Sequence, residues 1–149
     1  MVTLWHRSKP TTHARHDTTR PLPASPSSTI RHSSDQIAIT KEIQVFKNLH
    51  ENAVMFVVAD DGMAPYYQEG DYVAGIAYPP DKIPALIGLD CIVQTSDNNF
   101  YLRRLKNGSQ PDLYNLVCTN INTALFEITL YDQTLVSAAP VIWHRRKIV

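Results

Sequence analysis

From residue 53 onward the chain is a series of short apolar segments separated by turn residues. Seven segments have the length and the β-branched or aromatic content of strands, and they cover residues 54–59, 72–77, 91–95, 100–105, 113–118, 126–131 and 135–143. Asp, Asn, Gly and Pro stand between them, and residues 96–99 have the composition of a hairpin loop. This close spacing predicts a mainly β domain with little helix.

Residues 1–35 have a different composition from the rest of the chain. They contain four prolines, many Ser and Thr residues, and five basic residues against two acidic ones. Their apolar residues are too scattered to form a buried face, so we predict a disordered, basic, Pro-rich tail over 1–35 and one folded domain over 36–149. A role for this tail as a basic arm that contacts DNA phosphates stays open.

One short helix is compatible with the start of the domain. Apolar residues recur there at spacings of three and four, as on one side of a helix: Ile39, Ile43, Phe46 and Leu49. Ser33 or Ser34 can cap such a helix. The alternation at residues 43–45 also fits a strand, so the sequence leaves both interpretations open.

Charge and composition exclude several classes of protein. Lys and Arg together number 14, as do Asp and Glu, so no net charge attracts nucleic acid or a membrane surface. No apolar stretch reaches the length of a membrane span, and Cys91 and Cys118 lie in apolar runs typical of buried thiols. We therefore expect a cytoplasmic protein. The six histidines show no paired ligand spacing backed by Cys or carboxylates, and the pair His13 and His16 lies in the predicted tail, so we expect neither a metal nor a cofactor.

The most informative motif lies between the first two predicted strands. Residues 60–65 read Asp-Asp-Gly-Met-Ala-Pro, a Gly-Asp pair follows at 70–71, and residues 102–105 read Leu-Arg-Arg-Leu about forty residues later. Together they resemble the LexA-like self-cleaving repressors and the C-terminal domains of lambda-type phage repressors, whose patterns are Asp-x-Ser-Met-x-Pro and Val-Lys-Arg-Leu. The resemblance covers about residues 50–149 and implies LexA-like β-clip type twisted sheets. Taken singly, the same residues are ordinary turn residues.

The two catalytic residues of that family are replaced in this chain. Gly62 stands where the resemblance places the nucleophilic serine, and Arg103 stands where it places the lysine that acts as the base. Glycine has no side chain to attack a carbonyl, and arginine stays protonated in proteins, so neither replacement can act. The family also cleaves an Ala-Gly or Cys-Gly bond, and no such dipeptide precedes residue 60. We therefore predict that the chain is not an enzyme.

We predict that Arg103 enters the former cleft and faces the acidic loop that carries Asp60 and Asp61. A buried guanidinium needs a partner, and a carboxylate that accepts two hydrogen bonds suits it. The alternative is that Arg103 binds an anionic ligand or a peptide carboxylate there. The predicted cleft residues are Asp60, Asp61, Met63, Pro65, Arg103 and Arg104.

The resemblance also implies how such a domain acts. In the family the domain self-associates, and its cleavage switches off an attached DNA-binding module. We therefore expect a non-catalytic domain of a transcriptional regulator or phage repressor that forms a homodimer and senses a ligand or partner. It would reach DNA only indirectly, through a helix-turn-helix module that this sequence lacks. The expected dimer contacts lie on the C-terminal strand, at Pro140, Val141, Ile142 and Trp143.

Two other functions stay open at this point. The chain is an active serine–lysine self-cleaving peptidase if it holds a nucleophile that the motif does not reveal. It is a free-standing adaptor if it forms heterodimers with a full-length repressor. The sequence names neither a ligand nor an operator.

Overall fold

Antiparallel strands joined by short turns make up most of the fold. The computed structural model of the chain describes residues 4–5 and 26–147. Helix α1 spans Pro26–Leu49, and a 3₁₀-helix spans Pro80–Leu86. The strands are β1 (Leu4–Trp5), β2 (Ala53–Val57), β3 (Tyr72–Ile76), β4 (Asp90–Thr95), β5 (Phe100–Asn107), β6 (Tyr114–Val117), β7 (Thr129–Gln133) and β8 (Leu135–Arg145). The prediction of a mainly β fold with one N-terminal helix is confirmed.

The observed strands follow the predicted apolar segments closely. Six of the seven agree with the prediction to within two residues at each end. The seventh was predicted at 126–131 and is β7, which begins three residues later. Phe126 is apolar but fully exposed in the preceding loop. A strand forms only where a neighbouring strand is within reach, and local composition does not encode that.

Strand β8 joins the two halves of the sheet, whose order is β1-β2-β3-β8-β4-β5-β6-β7. Its first half pairs with β4 from Leu135 to Pro140, and its second half pairs with β3 from Val141 to Arg145. Where the partner changes, a Cβ atom on Gly75 would lie 2.2 Å from the carbonyl oxygen of Pro140, so only glycine fits there. The crossing brings the segment between β2 and β3 close to β5.

Three apolar clusters form the interior. The first lies between β4, β5, β6 and the 3₁₀-helix and contains Ile83 and Leu105. The second joins β2, β3 and β5 to the segment after β2 and contains Met63 and Leu102. The third packs α1 against β2 and β3. Strand β5 contributes residues to two of the three clusters. This packing on both faces fixes the position of its backbone.

Helix α1 confirms the prediction of an N-terminal helix, and the alternative strand at residues 43–45 is wrong. Ile39 and Ile43 are buried against β2 and β3, and Phe46 packs beside them. Leu49, on the same predicted face, is 72% exposed and borders an open groove beside Trp143. None of the helices in the described part of the chain combines the length and apolar character that crossing a bilayer requires.

Helix α1 begins at Pro26, inside the segment 1–35 for which we predicted a tail. Proline fits the first turn of a helix because no hydrogen bond is lost there with its missing N–H. Ser33 and Ser34 lie within the helix, so the predicted cap is wrong. Residues 4–5 form β1, and the rest of the tail prediction lies outside the described residues.

Candidate functional site

The segment between β2 and β3 carries the first motif and folds back on itself. At its base, the Val58 N–H donates to the carbonyl oxygen of Asp71 at 2.9 Å, and the Gly70 N–H donates to that of Val58 at 2.8 Å. Met63 anchors the segment, since its side chain is 1% exposed and packs in the same cluster as Leu102. The closed base and the buried anchor hold the start of the motif over β5.

Arg103 lies in the middle of β5 and points at this motif. Its Nη2 donates to Asp60 Oδ2 at 2.9 Å and its Nη1 donates to Asp60 Oδ1 at 3.2 Å, so the pair is bidentate. Nη1 also donates to the carbonyl oxygen of Leu102 at 2.7 Å, and the guanidinium lies 5.6 Å from the centre of the Tyr101 ring. The side chains of Arg103 and Asp60 are 6% and 26% exposed. The predicted contact between Arg103 and the acidic motif is confirmed for Asp60.

Gly62 lies directly beside this ion pair. A Cβ atom on Gly62 would lie 3.2 Å from Arg103 Nη1, 3.0 Å from Asp60 Oδ1 and 2.8 Å from Cys118 Sγ. The Gly62 N–H donates to Asp60 Oδ1 at 2.9 Å. Positions 62 and 103 are therefore neighbours in space, and their surroundings fill the volume that a side chain at position 62 would need.

The carboxylate of Asp61 turns toward the loop between β6 and β7. It accepts hydrogen bonds from Thr123 Oγ1 and from the Ala124 N–H, and its backbone carbonyl accepts one from Asn120 Nδ2 at 2.9 Å. The hydrogen bonds from Thr123 and Ala124 lower the pKa of Asp61 below its ordinary value. The two acidic residues of the motif thus have different partners: Asp60 binds the arginine, and Asp61 holds the loop over the site.

Cys118 belongs to the site, although the sequence indicated only a buried thiol. It follows β6, carries a free thiol and is 6% exposed. Burial raises the pKa of this thiol, and the nearby Arg103 guanidinium offsets only part of that effect. The thiol stays protonated at neutral pH and is a poor nucleophile. Only the pairing of β5 with β6 brings it beside Gly62, and no local sequence signal reports such a long-range contact.

Two of the predicted cleft residues, Arg104 and Pro65, lie outside the cleft. Arg104 projects from the opposite face of β5, because successive strand residues alternate between faces, and this corrects its placement in the cleft. It binds Asp90 on β4, with Nε 2.9 Å from Oδ1, and is 39% exposed. Pro65 follows a cis peptide bond and is exposed. The candidate site therefore consists of Asp60, Gly62, Arg103 and Cys118, and Met63 packs beneath these residues.

The predicted dimer contacts lie where β8 changes its partner. Strands β4 and β3 lie on opposite sides of β8, so β4 occupies one backbone edge up to Pro140 and β3 occupies the other edge from Val141 onward. Ile142 is 58% exposed. Trp143 borders an apolar groove of about 360 Å³ that α1 lines with Val45 and Leu49. The C-terminal strand thus contributes Trp143 to an apolar surface at these positions.

Within the described residues, no three His, Cys, Asp or Glu side chains come together as ligands for a metal ion. Comparison of the chain with protein-family models, with curated proteins and with solved structures gives no match. Geometry at residues 60–62 and 103 is therefore the basis for assigning a function.

Proposed function

We propose that this chain is a LexA-like domain of the serine–lysine peptidase type, with β-clip twisted sheets, that has lost catalysis and acts by association. The observation that carries the proposal is the contact between positions 62 and 103. The resemblance places the serine and the lysine at these two positions, and a dyad requires them to be in contact. The contact joins a loop to a strand far apart in the sequence, which turn chemistry alone gives no reason to expect.

Three features of the site prevent the family's reaction. Gly62 has no hydroxyl, and Arg103 cannot accept a proton. The Gly62 N–H, a donor of the kind that stabilises an oxyanion, is engaged by Asp60. Asp60 also binds both Nη atoms of Arg103 and so occupies the place that an anionic ligand would take. These contacts support a structural role for Arg103 over ligand binding.

Long incubation of the full chain above about pH 9 tests the loss of catalysis, because a buried amine base is deprotonated there. We expect intact-mass spectrometry to show one unchanged species. A fragment that forms at a rate independent of protein concentration contradicts the proposal and favours an active peptidase. If a fragment forms, the Cys118→Ala variant shows whether the thiol is the nucleophile, because the variant would then yield no fragment.

Self-association is the activity that remains when cleavage is lost. Val45 and Leu49 are 57% and 72% exposed beside Trp143, and burying this apolar groove against a second copy is favourable. We expect sedimentation equilibrium to show a dimer that Leu49→Glu converts to a monomer. Val136→Glu is the matched control, since Val136 is 47% exposed on the first half of β8. A strict monomer up to about 500 µM contradicts self-association.

A domain of this type belongs in a transcriptional regulator or phage repressor. There it would bring together DNA-binding modules of the helix-turn-helix kind and would contact DNA only through them. The free, buried thiols of Cys91 and Cys118 support a cytoplasmic location, because such thiols persist in a reducing compartment. A capture experiment with the tagged chain tests the adaptor alternative. If the chain captures a full-length repressor of the family and does not form homodimers, the adaptor role is favoured instead.

A further inference from the structure

Strand β7 is the last strand of the sheet, so one of its edges has no strand neighbour among the described residues. The carbonyl of Ile128 accepts the Cys118 N–H at 2.9 Å on the inner side, and alternation along the strand then turns the backbone groups of Thr129 outward. At Asp132 the backbone has a φ of 50°, which ends the regular edge. Residues 129–131 therefore form an edge that can accept another strand, and the loop residues 126–128 precede it.

Large apolar side chains surround this edge. Phe126 is 100% exposed, Tyr131 is 70% exposed and Ile128 is 47% exposed. All three border an open depression of about 530 Å³ that runs along β7. Single exposed apolar residues are ordinary, but a group of them beside an unpaired strand edge marks an interaction surface.

The charge of this region decides which partner fits. From residue 107 to residue 143 the chain contains Asp112, Glu127 and Asp132, and it contains no Lys, Arg or His. Glu127 is exposed among the apolar side chains. When two copies pair their β7 strands, Glu127 and Asp132 of one copy approach those of the other, and repulsion opposes that dimer. A strand that carries basic residues meets opposite charge instead.

We propose that the outer edge of β7 binds an extended, basic segment of another protein by strand addition. Backbone hydrogen bonds to the Thr129 edge hold the segment, and its apolar side chains pack on Phe126 and Tyr131. Its Lys or Arg side chains face Glu127. This surface adjoins the β6–β7 loop that Asp61 holds, but it uses none of the residues of the Gly62 site or of the α1 groove, so the proposal does not rest on the proposed function.

Fluorescence anisotropy with labelled heptapeptides and the full chain tests this proposal. We expect the basic peptide Lys-Val-Lys-Val-Lys-Val-Lys to bind at least about tenfold more tightly than its Glu-Val counterpart. Tyr131→Lys removes an apolar ring and adds a like charge, so it should weaken binding of the basic peptide at least about tenfold. Tyr66→Lys is the matched control, because Tyr66 is 71% exposed on a different loop.

Hydrogen–deuterium exchange of the peptide-saturated chain locates the contact without any variant. Strand addition slows exchange within residues 129–131 and leaves α1 unchanged. Protection elsewhere, equal affinity for the two peptides, no binding of either, or full binding by Tyr131→Lys overturns the proposal. A dimer that Tyr131→Lys dissociates also overturns it, since the edge would then belong to a second copy.

Discussion

Arg103 and Arg104 are neighbours on β5, yet they form two different kinds of ion pair. Arg103 is 6% exposed and binds Asp60 through both Nη atoms. Arg104 is 39% exposed and binds Asp90, its direct cross-strand partner on β4. The residue types and the closest distance, 2.9 Å, are the same in both pairs. The pairs differ in burial and in what they connect.

That difference decides what each pair does. The Asp90–Arg104 pair follows from the register of two adjacent strands, and water screens it, so it contributes little to stability. The Asp60–Arg103 pair connects a loop to a strand 43 positions away and lies beside Gly62. Removing Asp60 would leave the Arg103 guanidinium, which is 6% exposed, without its carboxylate partner in the interior. Only the Asp60–Arg103 pair can therefore close the cleft that the proposed function assigns to Gly62 and Arg103.

The largest expected effect is that of Arg103→Leu. The substitution leaves the Asp60 carboxylate with no guanidinium partner in a partly buried position, and we expect a loss of about 3 kcal/mol in the free energy of unfolding. Urea denaturation measures this loss. A variant that unfolds like the parent chain would show that the ion pair is not structural, and loss of a ligand in the same variant would favour the anion-binding alternative.

Asp71 extends the comparison to a buried carboxylate that has no arginine partner. It is 2% exposed, accepts hydrogen bonds at 2.9 Å from the backbone N–H groups of Gln68 and Lys147, and lies 2.8 Å from His144 Nε2. We expect Asp71→Asn to lower stability at neutral pH by about 2 kcal/mol, since hydrogen bonds to a charged acceptor are lost. An unchanged melting temperature would mean that backbone donors do not stabilise this carboxylate.

The pH dependence of stability gives a second test of Asp71. Burial by itself raises the pKa of Asp71, but the hydrogen bonds from Gln68, Lys147 and His144 outweigh it and hold the pKa below the ordinary 3.8. A lowered carboxyl pKa contributes stability that is present above the unfolded-state pKa and lost as pH falls through the folded-state pKa. The melting temperature should therefore fall below about pH 4, and it should fall less steeply in Asp71→Asn.

Gly62→Ala tests how tightly the site is packed around the buried pair. The added methyl group would meet Cys118 Sγ at 2.8 Å and Asp60 Oδ1 at 3.0 Å, and we expect a cost of about 1.5 kcal/mol. Cys118→Ala removes the sulfur, so the double variant should cost less than the sum of the two single changes. Strict additivity in chemical denaturation would indicate that the methyl group and the sulfur do not compete for space.

The smallest expected effect is that of Arg104→Leu. Arg104 is 39% exposed, so water reaches its pair with Asp90, and we expect stability to change by no more than about 0.5 kcal/mol. Thermal unfolding at low and high salt measures the change and its screening. A loss as large as that of Arg103→Leu would remove the distinction between the two pairs.

Local sequence patterns predicted the strands and the contact between Arg103 and the acidic loop of the site. Apolar alternation and the turn at residues 96–99 are local signals, and β4 and β5 pair across that turn. The motif and the need of a buried guanidinium for a carboxylate predicted that Arg103 meets the acidic loop, and the structure places it on Asp60.

The order of the strands in the sheet and the other contacts of the site depend on long-range contacts that no local sequence pattern encodes. The pairing of β8 with both β3 and β4, the approach of Cys118 to Gly62 and the binding of Thr123 by Asp61 join distant segments. Residues 26–35 carry too few apolar residues to predict a helix. That Arg103 lies in the site and Arg104 lies outside it became clear only once the two faces of β5 were known.

A pair of double-mutant cycles tests the central claim, that the Asp60–Arg103 ion pair closes the cleft that we propose was once catalytic. One cycle combines Asp60→Asn with Arg103→Leu, and the other combines Asp90→Asn with Arg104→Leu. Chemical denaturation of all variants should give a coupling free energy of about 2 kcal/mol for the first pair and below about 0.5 kcal/mol for the second. Equal coupling energies, or a first coupling near zero, would contradict the claim.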